Sequence, residues 1–127
     1  MKMISTLRID HLPRVLGFVE TDDLIQIREG WIAVMLGKRE GNISDIVTRY
    51  QCLAEQVVDG YKEHEARRKA QVGLLVQMAL ARRDGGRLGH FLDDLKDAQI
   101  DAQGKGFVDV AVCIRDTIRK FEVKGKG

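Results

Sequence analysis

The sequence has 127 residues, of which 44% are apolar and 31% are charged. These proportions fit one compact domain and exclude a largely disordered chain. The 21 basic and 19 acidic side chains leave a net charge of +2. The charge balance by itself therefore favours neither nucleic acid nor an anionic membrane as a partner.

The N-terminal residues give no sign of export or membrane insertion. The start MKMISTLRIDHLPR lacks the apolar run of about 7–15 residues that a signal peptide needs. No segment reaches the roughly 18 apolar residues of a membrane helix. The two cysteines, Cys52 and Cys113, lie in apolar-periodic stretches, and we interpret them as buried free thiols. We therefore expect a cytoplasmic protein that does not contact a membrane.

Residues 14–36 fit either a helix or a small β-hairpin. In the helical interpretation, Thr21 caps the first turn, and apolar residues recur at helical spacing from Leu24 to Met35. In the other interpretation, VLGFVE, LIQIR and WIAVML are short strands separated by turns. The spacing favours the helix and leaves the hairpin as the alternative.

Residues 42–84 carry a helical pattern that is long for a domain of this size. Asn42 or Ser44 caps its start, and apolar residues recur at helical spacing beyond it. One unbroken helix would be about 64 Å long and would have to pack against a second copy. The turn signal at Asp59 and Gly60 instead favours two helices.

Two more amphipathic stretches follow, and glycine-bearing links separate them. The first runs from Leu88 to Ile100 and the second from Phe107 to Phe121. We predict a mainly α bundle of four to five helices, with the hairpin at residues 14–36 as the variant. Residues 1–123 form its single domain, and residues 124–127 form a flexible tail.

A local excess of basic side chains between residues 62 and 87 suggests one binding surface. Phosphate contacts need such clusters, although a solvated helix face with intrahelical ion pairs accounts for the same pattern. The cluster begins at Lys62. If the protein binds nucleic acid, we expect six residues of this cluster to contact the phosphates: Arg67, Arg68, Lys69, Arg82, Arg83 and Arg87.

Two arrangements around His90 point to chemistry. His90 lies on one predicted helix face with Asp93, Asp94 and Asp97, as divalent metals require. The Glu-x-x-His pairs of bundle metal sites are missing, so we assign no metal and no cofactor.

Arg83 and His90 are separated by six residues. This spacing resembles the Arg-x4–6-His motif of the HEPN ribonucleases, a family of small helical dimers. The resemblance implies that His90 is an acid or base and that Arg83 holds the phosphate. The glycine pair inside the motif departs from the family pattern.

The most apolar stretch surrounds Trp31 and Met35. It is either core or a docking surface, and with Leu53 it forms our predicted interface. We expect a small non-enzymatic structural, adaptor or regulatory protein that acts by protein–protein contact, most simply as a homodimer. A nucleic-acid-binding regulator is the alternative, followed by a HEPN-like ribonuclease or a metal-binding bundle.

Overall fold

A computed structural model describes the backbone of residues 7–126 and the side chains of residues 7–123. This part of the chain is helical, and it contains no β-strand. A short 3-10 turn at Ile9–His11 is followed by six α-helices: α1 Leu12–Val15, α2 Asp22–Met35, α3 Ile43–Asp59, α4 His64–Asp84, α5 Leu88–Gly104 and α6 Val108–Lys126. None of these helices combines the length and the apolar character needed to cross a bilayer.

The predicted α class is confirmed, and two finer points of the prediction are corrected. The structure has one more helix than the four to five expected, because the short α1 forms at Pro13. The hairpin variant at residues 14–36 is wrong, because Leu24 and Trp31 are buried seven residues apart on one helical face. Thr21 caps α2 as predicted, accepting a hydrogen bond of 3.3 Å from the backbone N–H of Leu24.

Residues 42–84 form two helices, as the Asp-Gly signal predicted. Asn42 caps α3 by accepting a hydrogen bond of 3.1 Å from the N–H of Asp45. At the other end, the N–H of Gly60 donates to the carbonyl of Gln56 at 3.1 Å, which closes the last turn. A projecting helix that needs a second copy is therefore not formed, and that argument for self-association does not hold.

Helix α6 continues through Lys126, three residues into the predicted tail. Gly127 lies outside the described residues. Short links join the last three helices into antiparallel neighbours. Each link uses a glycine with positive φ, Gly86 at 79° and Gly106 at 85°, a conformation that L side chains rarely adopt.

Helix α4 is buried on two opposite faces, which is the main feature of the fold. One face packs into the α5–α6 cluster, which comprises Leu12, Leu16, Val72, Val76, Ala79, Leu80, Phe91, Leu95, Ala98, Ala102, Val110, Ala111, Cys113, Ile114 and Ile118. The opposite face packs into the α2–α3 cluster, which comprises Phe18, Leu24, Trp31, Tyr50, Ala54, Val58, Ala70, Leu74, Met78 and Ala81. The two clusters are therefore held together through one shared helix.

A third side of α4 is covered by α1 and by the chain that follows it. A Cβ added to Gly73 would lie 2.8 Å from the Cβ of Phe18 and 3.1 Å from the carbonyl oxygen of Pro13. The hydroxyl of Tyr61 donates to the carbonyl of Gly17, which fixes the same segment to the start of α4. Glycine at position 73 permits this close approach of backbone to backbone.

A partly buried ion pair connects this segment to α2 and α3. The Nε of Arg28 donates to both carboxylate oxygens of Glu20, at 2.9 and 3.1 Å. The hydroxyl of Tyr50, a fully buried residue, donates to the same carboxylate at 2.6 Å. Burial, reinforced by the hydrogen bond and the charge of Glu20, raises the pKa of Tyr50 far above its usual value.

We predict that Gly73→Ala destabilises the protein, although alanine is the better helix former. The lost space should cost about 1–3 kcal/mol, which exceeds the gain in helix propensity of at most about 1 kcal/mol. Urea unfolding followed by circular dichroism measures the difference. Gly89→Ala is the control, because a Cβ there meets no atom within 4 Å. A Gly73→Ala variant as stable as the wild type would contradict the close approach.

We predict that the stability contributed by Tyr50 is fully present below a pH of about 10 and declines above it. The unfolded chain releases the phenolic proton near that pH. The folded chain retains the proton because its pKa is raised. The free energy of unfolding should therefore fall by up to about 1.4 kcal/mol per pH unit.

The comparison is with Tyr50→Phe, which lacks the titrating hydroxyl. Denaturant unfolding of both proteins at pH 8 and at a pH of about 11 separates this effect from the titration of other groups. We expect the variant to be less stable at pH 8, because the Glu20 carboxylate loses a donor. The gap should narrow at the higher pH; a constant gap would contradict the prediction.

Candidate functional site

The fourth side of α4 forms the floor of a groove of about 400 Å³ between α3 and α5. We call it the α3–α5 groove. Its lining residues come from all three helices: Gln51, Glu55, Val58 and Asp59 of α3, Gln71, Leu74, Leu75 and Met78 of α4, and Asp101 of α5 with its C-cap residue Lys105. Residues 71, 74, 75 and 78 follow helical spacing, so the α4 residues form one stripe.

Apart from Gln71, the α4 residues on the floor of the groove are apolar. Val58, Leu74 and Met78 belong to the α2–α3 cluster, and Leu75 packs against the α5–α6 cluster. The groove therefore lies along the seam where the two clusters meet on α4. Leu75 is half-buried, so an apolar group placed in the groove would remove further apolar surface from water.

The α3 wall of the groove is acidic, whereas the opposite wall is a neutral ion pair. Residues 51, 55 and 59 are spaced by four along α3, which puts Glu55 and Asp59 on one line facing the groove. On the opposite wall, the Nζ of Lys105 pairs with Asp101 at 2.5 Å. Among the described side chains, Glu55 and Asp59 have no ion-pair partner. The lining therefore carries three carboxylates and one ammonium group, which Asp101 already neutralises.

Two arginines stand on the same side of α4, beyond either end of the floor stripe. The guanidinium of Arg68 donates to the carbonyl of Lys105 at 2.9 Å. Arg82 pairs with Asp94 of α5 at 2.5 Å, and its guanidinium carbon lies 5.1 Å from the ring centroid of Trp31. These contacts fix α5, which forms one wall of the groove, against α4, which forms its floor.

No family model, curated protein or solved structure matches this chain.

The three predicted interface residues lie in or against the α2–α3 cluster rather than on one surface. Trp31 is 0% exposed, and its ring centroid lies 6.0 Å from that of Tyr50. A Cβ on Gly85 would come within 2.5 Å of the Met35 Cε, so Met35 packs against the end of α4. Leu53 is half-buried against the same cluster. Trp31 therefore offers no surface to a partner, because its own chain encloses the ring.

The basic residues at the start of α4 are divided between internal and exposed roles. Arg67 donates to the carbonyl of Tyr61 at 2.9 Å. Arg68 donates a hydrogen bond to the carbonyl of Lys105 at the end of the groove. Lys69 is exposed. The predicted Arg67, Arg68 and Lys69 patch therefore has a single side chain whose charge is not used within the protein.

The basic residues at the other end of α4 are similarly divided. Arg82 pairs with Asp94, and Arg83 pairs with Asp10 at 2.6 Å and with Asp84 at 3.1 Å. Arg87 is exposed. Arg67 and Arg82 are separated by about 22 Å along the helix, so the structure splits the predicted cluster. Nucleic-acid contact stays a prediction with less support.

Among the described side chains, no hydrogen bond or ion pair joins the residues singled out for chemistry (Arg83, His90, Asp93, Asp94 and Asp97) to one another. The Arg83 guanidinium lies 6.0 Å from the Phe91 ring centroid and is engaged by two carboxylates, whereas His90 is exposed. Burial raises the pKa of Asp94, while Arg82 opposes that shift. Among the described residues, no group of three or more His, Cys, Asp or Glu side chains is arranged to hold a metal.

The cysteines behave differently from each other. Both are free, as expected, but Cys52 is exposed on α3, so the prediction of burial is wrong there. It lies between the exposed Gln51 and the half-buried Leu53, on the solvent side of the helix. Cys113 is buried, and burial raises the pKa of its thiol.

The sequence analysis missed Glu55, Asp59 and Asp101. Acidic residues at a spacing of four are typical of any solvated helix face, so nothing local marks the two on α3. The available signal was the composition of α4, where apolar residues occupy two opposite faces. A helix of that kind lies between two layers. Each of its two remaining sides is either covered by another segment or forms the floor of a groove.

Proposed function

We propose that this protein is a small non-enzymatic adaptor that acts by protein–protein contact and uses the α3–α5 groove as its docking site. The single observation that carries the proposal is the combination of a largely apolar floor with an acidic wall on α3. Apolar floors supply affinity, and charged walls select the partner and its orientation.

The groove is suited to a short amphipathic segment. The α3 wall from Gln51 to Asp59 is about 12 Å long, which corresponds to roughly two turns of a docked helix. Glu55 and Asp59 favour basic residues that flank an apolar side chain seated over Leu75. The expected ligand is therefore an apolar anchor between lysines or arginines.

The use of the arginines supports contact over catalysis. Arg83 is the phosphate-holding residue in the ribonuclease interpretation, and its guanidinium is occupied by Asp10 and Asp84. Arg82 and Arg68 likewise brace α5 against α4. Side chains used in this way stabilise a rigid groove, and rigid surfaces bind with less loss of entropy.

The experiment places a photo-crosslinking amino acid at Gln71, on the floor of the groove. The matched control carries it at Gln103, which is also exposed but lies about 200° around α5 from Asp101. After irradiation in an extract of the source cells, we expect discrete protein adducts from Gln71 and none from Gln103. Equal adducts from both positions, or none from Gln71, would contradict the proposal.

The acidic wall is tested in the same assay. The double variant Glu55→Lys and Asp59→Lys replaces two exposed carboxylates with ammonium groups, which repel a basic ligand instead of attracting it. The yield of the Gln71 adduct should fall at least about fivefold, with no change in the unfolding midpoint. Unchanged yield would mean that the wall charges do not select the partner.

A further inference from the structure

A second surface of the chain has the properties that the groove requires of a ligand. Near the C-terminus of α6, Arg119 and Lys120 are exposed, and Val123 is 70% exposed. These three residues and Phe121 line a hollow of about 460 Å³. We call this surface the basic end of α6.

The charge of the basic end is opposite to that of the groove. Residues 119–127 contain four basic side chains and one acidic side chain. The acidic one, Glu122, pairs with Lys96 of α5 at 3.3 Å. Val123 lies four residues after Arg119 and three after Lys120, so the apolar and basic groups share one helix face. This is the pattern of an apolar anchor flanked by basic residues.

We propose that the basic end of α6 of one copy docks in the α3–α5 groove of a second copy. Val123 would lie over Leu75, with Arg119 and Lys120 against Glu55 and Asp59. The inference rests on the proposed function, because it names the occupant of the same groove. This contact is a different basis for self-association from a single projecting helix over residues 42–84, which the break between α3 and α4 excludes.

A chain cannot occupy its own groove in this way. Phe121 is held against Phe91, near the start of α5, with ring centroids 5.0 Å apart in an edge-to-face arrangement. The groove lies at the other end of α5, where Asp101 is about 15 Å away along the helix. The basic end and the groove therefore face different molecules.

The resulting contact is head-to-tail. Each copy offers one groove and one basic end, and the two surfaces differ, so the contact has no two-fold axis of its own. Such contacts continue into chains or close into rings. The average oligomer size should therefore increase steadily with protein concentration. It should decrease with added salt, because salt screens the exposed charges that contribute to the contact.

The experiment uses three preparations of the full chain in sedimentation velocity. The wild type should associate at concentrations up to about 200 µM, where contacts with a Kd of about 10–100 µM become populated. The groove variant carries Glu55→Lys and Asp59→Lys. The end variant carries Arg119→Gln and Lys120→Gln. All four positions are exposed, so the fold should be retained, as circular dichroism and urea unfolding would check.

Each variant alone should be monomeric, because each lacks one half of the contact. An equimolar mixture of the two should form a dimer and stop there. The intact basic end of the groove variant fits the intact groove of the end variant, and the remaining two surfaces do not match. A two-fold symmetric contact would not be restored in this way. The control pair Glu29→Lys and Glu40→Lys makes the same charge change elsewhere and should leave association unchanged.

Three results would overturn the inference: a wild type that stays monomeric at about 200 µM, variants that still associate, or a mixture that stays monomeric. The adduct at Gln71 separates this failure from failure of the proposed function. An adduct with the mass of two chains supports both proposals. An adduct with a different protein supports the groove as a docking site and removes the second copy as its occupant.

Discussion

The burial of α4 on two opposite faces is the constraint on which the rest of the structure depends. Val72 and Val76 face one cluster, and Leu74 and Met78 face the other. Neither cluster is complete without its share of α4, so the two halves of the chain cannot form separate cores. Helices α1, α2, α3 and α5 pack directly against α4, whereas α6 packs against α5.

Between its two buried faces, α4 has two narrower sides. One of them is covered by another segment, and the other is open. On one side, the segment after α1 crosses so closely that Gly73 is required. On the other side, α3 and α5 stand apart, and the apolar stripe around Leu75 becomes the floor of a groove. The candidate site is thus a consequence of packing, since it lies where the two clusters meet and nothing in the described chain fills the space.

Most arginines near α4 make contacts within the protein that connect α4 to neighbouring segments. Arg68 and Arg82 join α4 to α5, and Arg83 joins it to the N-terminal turn. Among the exposed charges, Glu55 and Asp59 lie along the groove, and Arg119 and Lys120 lie at the end of α6. The net charge of +2 conceals this separation, because composition sums charges that the fold places at opposite ends of α5.

The sequence by itself determined the local structure. Helical periodicity, the cap at Thr21 and the Asp59–Gly60 break depend on neighbours a few residues apart, and the favoured predictions for them are confirmed. Asn42, which caps α3, was one of two candidates for that role. The burial of Trp31, the internal pairing of Arg83 and the location of the groove depend on contacts between distant segments. Spacing along one helix says which residues share a face, but only the tertiary structure decides what covers that face.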